Sequence, residues 1–368
     1  MKALISPFVL LLSILASLVL PGHADDSTFH IYAPNRGPET LLVVRATASE
    51  DGALALEALD PVDLGIPAGS IVAHPDEPLL YITENWSGGE GIQGAAVHLA
   101  DDGGVAEFQL FPIANGYSYL GLDRAGRFLL GCNYRNGIVD VYELGEDGSP
   151  GPLVSSVTEG LGNAHSALPS PDNSFVYVPY VKDNNALHQY RFNADTGALT
   201  PLETLDAAPP ENTGPRHIAY HPELPMVYFS NEQQLGVSVW EKLDSGQLEL
   251  RQMAGLTDVE APEKGVSGSD IVITPDARFL FTGIRGPKHD FDHISRFAIE
   301  EDGTVRHLGL TEADAVPWGL ALSPDGRHLL ASGHRSGTLM AYRIEDNGDL
   351  TRVATLDWGK GVTDLIAR

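Results

Sequence analysis

A turn of the type Ser/Thr/His-Pro-Asp/Glu, followed at once by a short apolar run, returns through this chain at a nearly constant interval. His74-Pro75-Asp76 precedes Leu79-Leu80-Tyr81-Ile82, and Asp123-Arg124-Ala125-Gly126 precedes Phe128-Leu129-Leu130. Ser170-Pro171-Asp172 precedes Phe175-Val176-Tyr177-Val178, and His221-Pro222-Glu223 precedes Met226-Val227-Tyr228-Phe229. Thr274-Pro275-Asp276 precedes Phe279-Leu280-Phe281, and Ser323-Pro324-Asp325-Gly326 precedes Leu329-Leu330-Ala331. In four copies a second alternating stretch follows, ending at Tyr142, Trp240, Phe297 and Tyr342. Aligned on the third turn residue (Asp76, Ala125, Asp172, Glu223, Asp276, Asp325), the spacings are 49, 47, 51, 53 and 49 residues.

A period of about 50 residues built from short strands and turns is the pattern of propeller blades, and each unit has room for four strands. Proline presets φ at the second turn position, and Asp or Gly suits the next. The β-branched and aromatic alternation fits strands that pack between blades. A second turn recurs once per unit, at Asp101-Asp102-Gly103, Glu146-Asp147-Gly148, Asp195-Thr196-Gly197, Asp244-Ser245-Gly246, Glu301-Asp302-Gly303 and Asp346-Asn347-Gly348. It is a hairpin signal between the third and fourth strands of a blade. Strand-like runs are left over at both ends, in residues 27 to about 60 and in 350–357. A seventh blade shared between the N- and C-termini accounts for both and leaves no free edge. The expected fold is all-β: a seven-bladed β-propeller of four-stranded antiparallel blades, forming one domain over residues 25–368.

The first residues read as an export signal. Lys2 supplies a positive start, Phe8 to Leu20 is an apolar run of 13 residues, and Gly22 and Ala24 are small. That run is short for a membrane span and suits a signal peptide over residues 1–24, cleaved after Ala24; an uncleaved anchor is the alternative. No other apolar run is long, so the mature protein is expected to be soluble, monomeric, and periplasmic or secreted. Cys132 is the only cysteine, so no internal disulfide or multi-cysteine zinc site can form. It sits in a strand-like run, as a buried small hydrophobe would. With 23 basic against 50 acidic residues the formal net charge is −27. A surface so acidic repels nucleic acid and anionic membranes and suits high salt, where self-repulsion is screened.

Propellers present ligands at the mouth of the central channel, so charged residues beside the apolar strands are the candidates for chemistry. His165 lies in Asn163-Ala164-His165-Ser166, shortly before its Ser-Pro-Asp turn, and Arg216 lies at the equivalent place one blade later, in Gly214-Pro215-Arg216-His217. Glu232 follows the apolar run of the same blade as Arg216, and Arg285 follows another such run. His217, Asp270, Trp318 and Asn133 with Tyr134 are further candidates for contacting a substrate. Arginine binds a carboxylate or phosphate with two parallel hydrogen bonds and can stabilise the oxyanion formed when an ester carbonyl is attacked. Histidine or glutamate can take a proton from water. The bland reading of each is a solvated loop residue or a strut between blades.

Other motifs carry less. Gly88-Gly89-Glu90-Gly91 does not fit a phosphate-binding strand–loop–helix and reads as a loop. Asn85-Trp86-Ser87 matches a glycosylation sequon without meaning in a bacterial setting. Lys288-His289-Asp290-Phe291-Asp292-His293 reads as a polar hairpin loop rather than a metal site. There is no Gly-x-Ser-x-Gly nucleophile elbow.

These units resemble the lactonase family of seven-bladed propellers, which includes bacterial 6-phosphogluconolactonase and fungal carboxymuconate cyclase. The most specific pieces are Asn163-Ala164-His165-Ser166 with Ser170-Pro171-Asp172, Gly214-Pro215-Arg216-His217 with His221-Pro222, Asn231-Glu232, and Thr274-Pro275-Asp276. The resemblance implies that His165, Arg216, Glu232 and Arg285 line the catalytic site and that neither metal nor another cofactor is needed. The chain departs from the family at Tyr180-Val181-Lys182-Asp183, where Asp-Leu-Gly is common, and in its export signal. Export separates it from 6-phosphogluconolactone, a cytosolic metabolite. The expected activity is therefore hydrolysis of a non-phosphorylated sugar lactone or a carboxylated lactone. Lactonisation or cycloisomerisation of an unsaturated diacid, and non-catalytic binding of a sugar or partner, are the competing readings.

Overall fold

A computed structural model of the chain describes residues 27–85, 91–257, 259–262 and 264–368. The expected signal peptide at 1–24, Trp86 and Ser87 of the sequon, and residues 88–90 of the glycine-rich stretch lie outside the described residues. Six four-stranded antiparallel sheets follow one another in chain order, and a seventh closes the ring. We number them as blades 1 to 7. Blades 1 to 6 begin at the inner strands Ala68–Ala73, Tyr119–Leu122, Leu168–Pro169, Pro215–Tyr220, Ser267–Ile273 and Pro317–Leu322. In blades 1 to 6 the repeated turn, which carries Pro in all but blade 2, joins the first strand to the second, and the glycine-containing hairpin joins the third to the fourth.

The termini share blade 7, as the leftover strands require. Ser27–Asn35, Thr40–Ala48 and Leu54–Ala58 come from the N-terminal side. The inner strand comes from the C-terminal side, but it is Ile366–Ala367, pairing with Ile31 and Tyr32. Leu350–Asp357 is instead the outer strand of blade 6, paired with Thr338–Ile344. Composition misplaces the closure because a two-residue strand gives no alternating signal.

The packing explains the repeat. Among the described residues there are seven buried apolar clusters, one for each interface between neighbouring blades. No blade therefore owns a core, and each is stable only against its neighbours. The tyrosine of the second strand supplies a polar link within that layer. Tyr32, Tyr81, Tyr177 and Tyr228 donate through their hydroxyls to the carbonyls of Gly103, Gly148, Gly246 and Gly303, at 2.6, 2.6, 2.7 and 2.9 Å. Each acceptor is the hairpin glycine of the next blade. These glycines have φ between 75° and 87°, the left-handed region where a side chain is strained. The hairpin glycine and the strand tyrosine are thus two halves of one contact.

Candidate active site

The polar residues singled out in the sequence gather at one end of the ring, where second strands pass into third strands and each blade hands over to the next. Counting from the third turn residue shows why. The position seven residues before it carries Gly69, Ser118, His165, Arg216, Ser269 and Trp318 in blades 1 to 6. The position six before it carries Ser70, Tyr119, Ser166, His217, Asp270 and Gly319. The position nine after it carries Asn85, Tyr134, Val181, Glu232, Arg285 and His334. Two sets of structurally equivalent positions therefore deliver His165, Arg216, Glu232 and Arg285 to the same place, and a third lies directly behind them.

Glu232 is the hub. Its Oε2 lies 3.4 Å from Arg216 Nε, 3.5 Å from a terminal nitrogen of Arg285 and 4.0 Å from His165 Nε2. Arg216 is 1% exposed, a burial an arginine reaches only when its charge is met. Its Nε and one terminal nitrogen make no hydrogen bond among the described residues. Arg285 donates to the Gly268 carbonyl at 2.8 Å and stacks on the Trp318 indole, 4.3 Å from the ring centre. Burial, then the charge of Arg216, lowers the pKa of Arg285 to about 9, which leaves it cationic at neutral pH. Arg216 shifts the same way, through burial.

Behind this cluster runs a hydrogen-bonded line. His165 Nδ1 is 3.2 Å from His217 Nε2, and His217 Nδ1 is 2.6 Å from Asp270 Oδ1. Asp270 Oδ1 also accepts from its neighbour Ile271 N at 2.8 Å, while Oδ2 accepts from Leu320 N of the next blade at 2.9 Å. Burial works against the Asp270 charge, but His217 and these hydrogen bonds outweigh it and hold the carboxyl below its ordinary range. Burial, then Arg216, pushes His217 down to about 4 and His165 well below the usual histidine value. Both rings are therefore neutral at physiological pH. Tyr134 and Tyr119 pack edge-on against His165 and His217, with ring centres 5.4 and 5.1 Å apart. Asp364, the equivalent of Asp270 in blade 7, accepts from Ile71 N at 3.1 Å and from Leu365 N at 2.9 Å. Burial, then the charge of Asp270, raises it to about 8.

A cavity of about 580 Å³ opens beside the cluster, lined by Arg285, Trp318, His334, Arg335, Lys360 and backbone at Gly361 among others. It is large enough for a sugar-sized molecule. On the other side Lys182 stands over the Tyr134 ring at 5.3 Å. It is carried there by a short 3₁₀ turn, Lys182–Asn184, at a φ of 58°. A hydrogen bond to Tyr134 raises its pKa, and Glu232 adds to the effect. A cationic rim on so acidic a protein is a local exception that favours anionic ligands.

The four catalytic candidates are thus together, and Trp318 joins Arg285 on the cavity wall. His217 and Asp270 have their polar atoms committed to each other, to His165 and to backbone, so they support the site from behind rather than face a substrate. Asn133 is spent within its own blade: its Nδ2 donates to the Gly116 carbonyl at 2.6 Å and its Oδ1 accepts from Asn136 N at 2.8 Å. Cys132 is buried in the second strand of blade 2, as a small hydrophobe. The His289–His293 loop follows the second strand of blade 5; His289 Nε2 lies 2.9 Å from the Lys264 carbonyl, and Asp292 accepts from Gly286 N at 2.8 Å. Sequence reasoning missed His334, Arg335, Lys360 and Lys182. His334 occupies the same repeat position as Glu232 and Arg285, so the frame could have found it; the others sit on loops outside any frame.

Comparison with known proteins bears on the family and the fold. Residues 47–363 match the family model described as lactonase, 7-bladed beta-propeller. The chain is 32% identical over 293 residues to a 6-phosphogluconolactonase of Cronobacter sakazakii, covering 79% of this chain and 84% of that one. It is 29% identical over 314 residues to the 6-phosphogluconolactonase of Yersinia pestis, covering 84% and 90%. Among solved structures, the periplasmic gluconolactonase of Pseudomonas aeruginosa superposes with a TM-score of 0.79 at 22% identity, over 93% of this chain and 99% of that one. Fold, repeat frame and family match converge: this chain belongs to the lactonase family of seven-bladed β-propellers.

Proposed function

We propose that this lactonase hydrolyses a non-phosphorylated sugar lactone or a carboxylated lactone, outside the cytoplasm, at the cluster of His165, Arg216, Glu232 and Arg285. The observation that carries the reading is the meeting of two buried guanidiniums, a carboxylate and a neutral imidazole beside a cavity of about 580 Å³. The unengaged Arg216 nitrogens and the Arg285 guanidinium are suited to a lactone carbonyl, whose oxygen gains charge when water attacks. His165 Nε2 and Glu232 Oε2 are both acceptors, and at 4.0 Å they are spaced to accept one hydrogen each from a single water. Either could take the proton as the water oxygen bonds to the carbonyl carbon. The ring C–O bond then breaks, and the proton passes to the departing alkoxide. The products are a hydroxyl and a carboxylate, with one proton released to solvent.

Lys182, Arg335 and Lys360 favour a substrate with an anionic group, and the signal-like sequence of residues 1–24 favours an extracytoplasmic one. The test is acid release from a panel of neutral and carboxylated aldonolactones by the purified mature protein. Hydrolysis lost in Arg216→Ala supports the reading; equal rates in the two proteins overturn it for those substrates.

A further inference from the structure

We infer that Asp270 and His217 are positioning residues that fix His165 in the tautomer whose Nε2 is a bare lone pair facing Glu232, making His165 rather than Glu232 the base that deprotonates water. The inference rests on lactone hydrolysis at this site and goes beyond it by assigning the proton's path.

Asp270 already accepts two backbone N–H groups, and its Oδ1 lies 2.6 Å from His217 Nδ1. A carboxylate only accepts, so His217 Nδ1 must carry the hydrogen. A neutral imidazole then has a lone pair at Nε2. That atom lies 3.2 Å from His165 Nδ1, which must therefore donate. His165 is left with its lone pair at Nε2, the atom 4.0 Å from Glu232 Oε2 and on the side of Arg216 and Arg285. One ionised carboxylate thus sets two tautomers in series.

Backbone keeps the line taut. Leu320 N, on the neighbouring blade, anchors Asp270 at 2.9 Å, and His165 N donates to the Pro179 carbonyl at 2.9 Å. Tyr119 and Tyr134 close the two rings edge-on. Glu232 is placed differently, since its Oε2 is already shared by two guanidiniums. A carboxylate in that position suits holding the arginines and orienting the water. In the step itself, His165 Nε2 takes the proton as the water oxygen bonds to carbon and the carbonyl pair moves onto oxygen. It returns the proton to the ring oxygen as the C–O bond breaks. His217 and Asp270 are unchanged over the cycle, and the His217 Nε2 lone pair, backed by the Asp270 carboxylate, steadies the His165 imidazolium between the two proton transfers.

The experiment is ¹⁵N NMR of imidazole-labelled wild-type protein, free of substrate, at neutral pH. The expected result is a protonated Nδ1 and an unprotonated Nε2 on both His165 and His217. A proton on His165 Nε2 overturns the inference, whatever the enzyme's substrate proves to be. The companion measurement is steady-state kinetics of Asp270→Asn on the best lactone found. We expect kcat to fall by about 100-fold or more with KM within about three-fold, and the His165 resonances to report mixed tautomers. Unchanged kcat in a folded Asp270→Asn protein overturns the relay. If no lactone is turned over, the functional reading fails while the NMR result still decides the tautomers. If Asp270→Asn does not fold, the wild-type spectrum decides alone.

Discussion

Arg216 and Glu232, drawn from the first strand of one blade and the loop after its second, meet at 3.4 Å, with the guanidinium shut off from water and the carboxylate only 12% exposed. Removing one partner from such a pair leaves the other charged and unsolvated. Glu232→Ala strands Arg285 as well, so it is expected to cost about 3–5 kcal/mol of stability. Glu232→Gln, which keeps the shape and one acceptor, should lose clearly less. Urea denaturation of both variants checks this; equal midpoints would show that the carboxylate charge is not what holds the guanidiniums.

Activity should depend on Arg216 through the transition state. Arg216→Ala is expected to lower kcat by about 10²–10³-fold, the scale for deleting one oxyanion donor. Arg216→Lys should rescue little, because a single ammonium cannot face Glu232 and the carbonyl at once. Acid-release kinetics on the same substrate measure both.

The pH dependence follows from the direction of the histidine shifts. His165 is faced by Arg216, Arg285, His217, Glu232 and Tyr134, and its pKa lies well below 6.5. It therefore stays a free base as pH falls through the ordinary histidine range, and the acid limb of kcat/KM should lie below the usual histidine value of 6.5. Stability has two opposed contributions. The unfolded chain protonates His217 near 6.5, while the native state resists until about 4, so stability from this group is lost as pH falls across that window, by roughly 3 kcal/mol. Asp364, raised to about 8, works the other way and adds stability as pH falls from 8 toward 4. Asp364→Asn should thus make the decline between pH 6.5 and 4 steeper than in the wild type. Thermal melts across that range test the sign.

Lys182 should discriminate among substrates rather than catalyse. Lys182→Ala is expected to raise KM for a carboxylated lactone by roughly five-fold, the worth of about 1 kcal/mol of exposed ion pairing. KM for an uncharged lactone should hardly move. A parallel rise for both would mean that the side chain shapes the pocket instead of reading charge.

Removing residues 363–368 should weaken the whole ring. The deletion takes away the Ile366–Ala367 strand, the Thr363 hydroxyl bond to the Gly69 carbonyl at 3.0 Å and the Asp364 bond to Ile71 N at 3.1 Å. Calorimetry is expected to show a melting temperature lower by several degrees and a broader transition. An unchanged melt would show that blade 7 holds without its inner strand.

Most of the fold was legible because the turns are chemically marked. Pro at one turn and Gly at the other are demanded by backbone geometry, so they survive as a countable frame. The four catalytic candidates were legible for a related reason: His165 and Arg216 stand where blades 1, 2 and 5 carry Gly or Ser and blade 6 carries Trp318, and Glu232 and Arg285 stand at one later position. What the sequence hid was contact between side chains. His217 and Asp270 read as residues for a substrate, yet only the ring's curvature turns them toward each other. Lys182, Arg335 and Lys360 lie on loops whose paths no periodicity fixes. The closing strand was missed because two residues are too few to alternate.

That closing strand also bears on how copies of the molecule can combine. The neighbour it covers, Ser27–Asn35, is buried from Phe29 to Asn35. Undocking Ile366–Ala367 uncovers the backbone donors and acceptors of His30 to Tyr32, a template that accepts the same segment from any copy. Exchange of tails between two molecules would restore every bond of the ring while tying the pair together, with each active site intact.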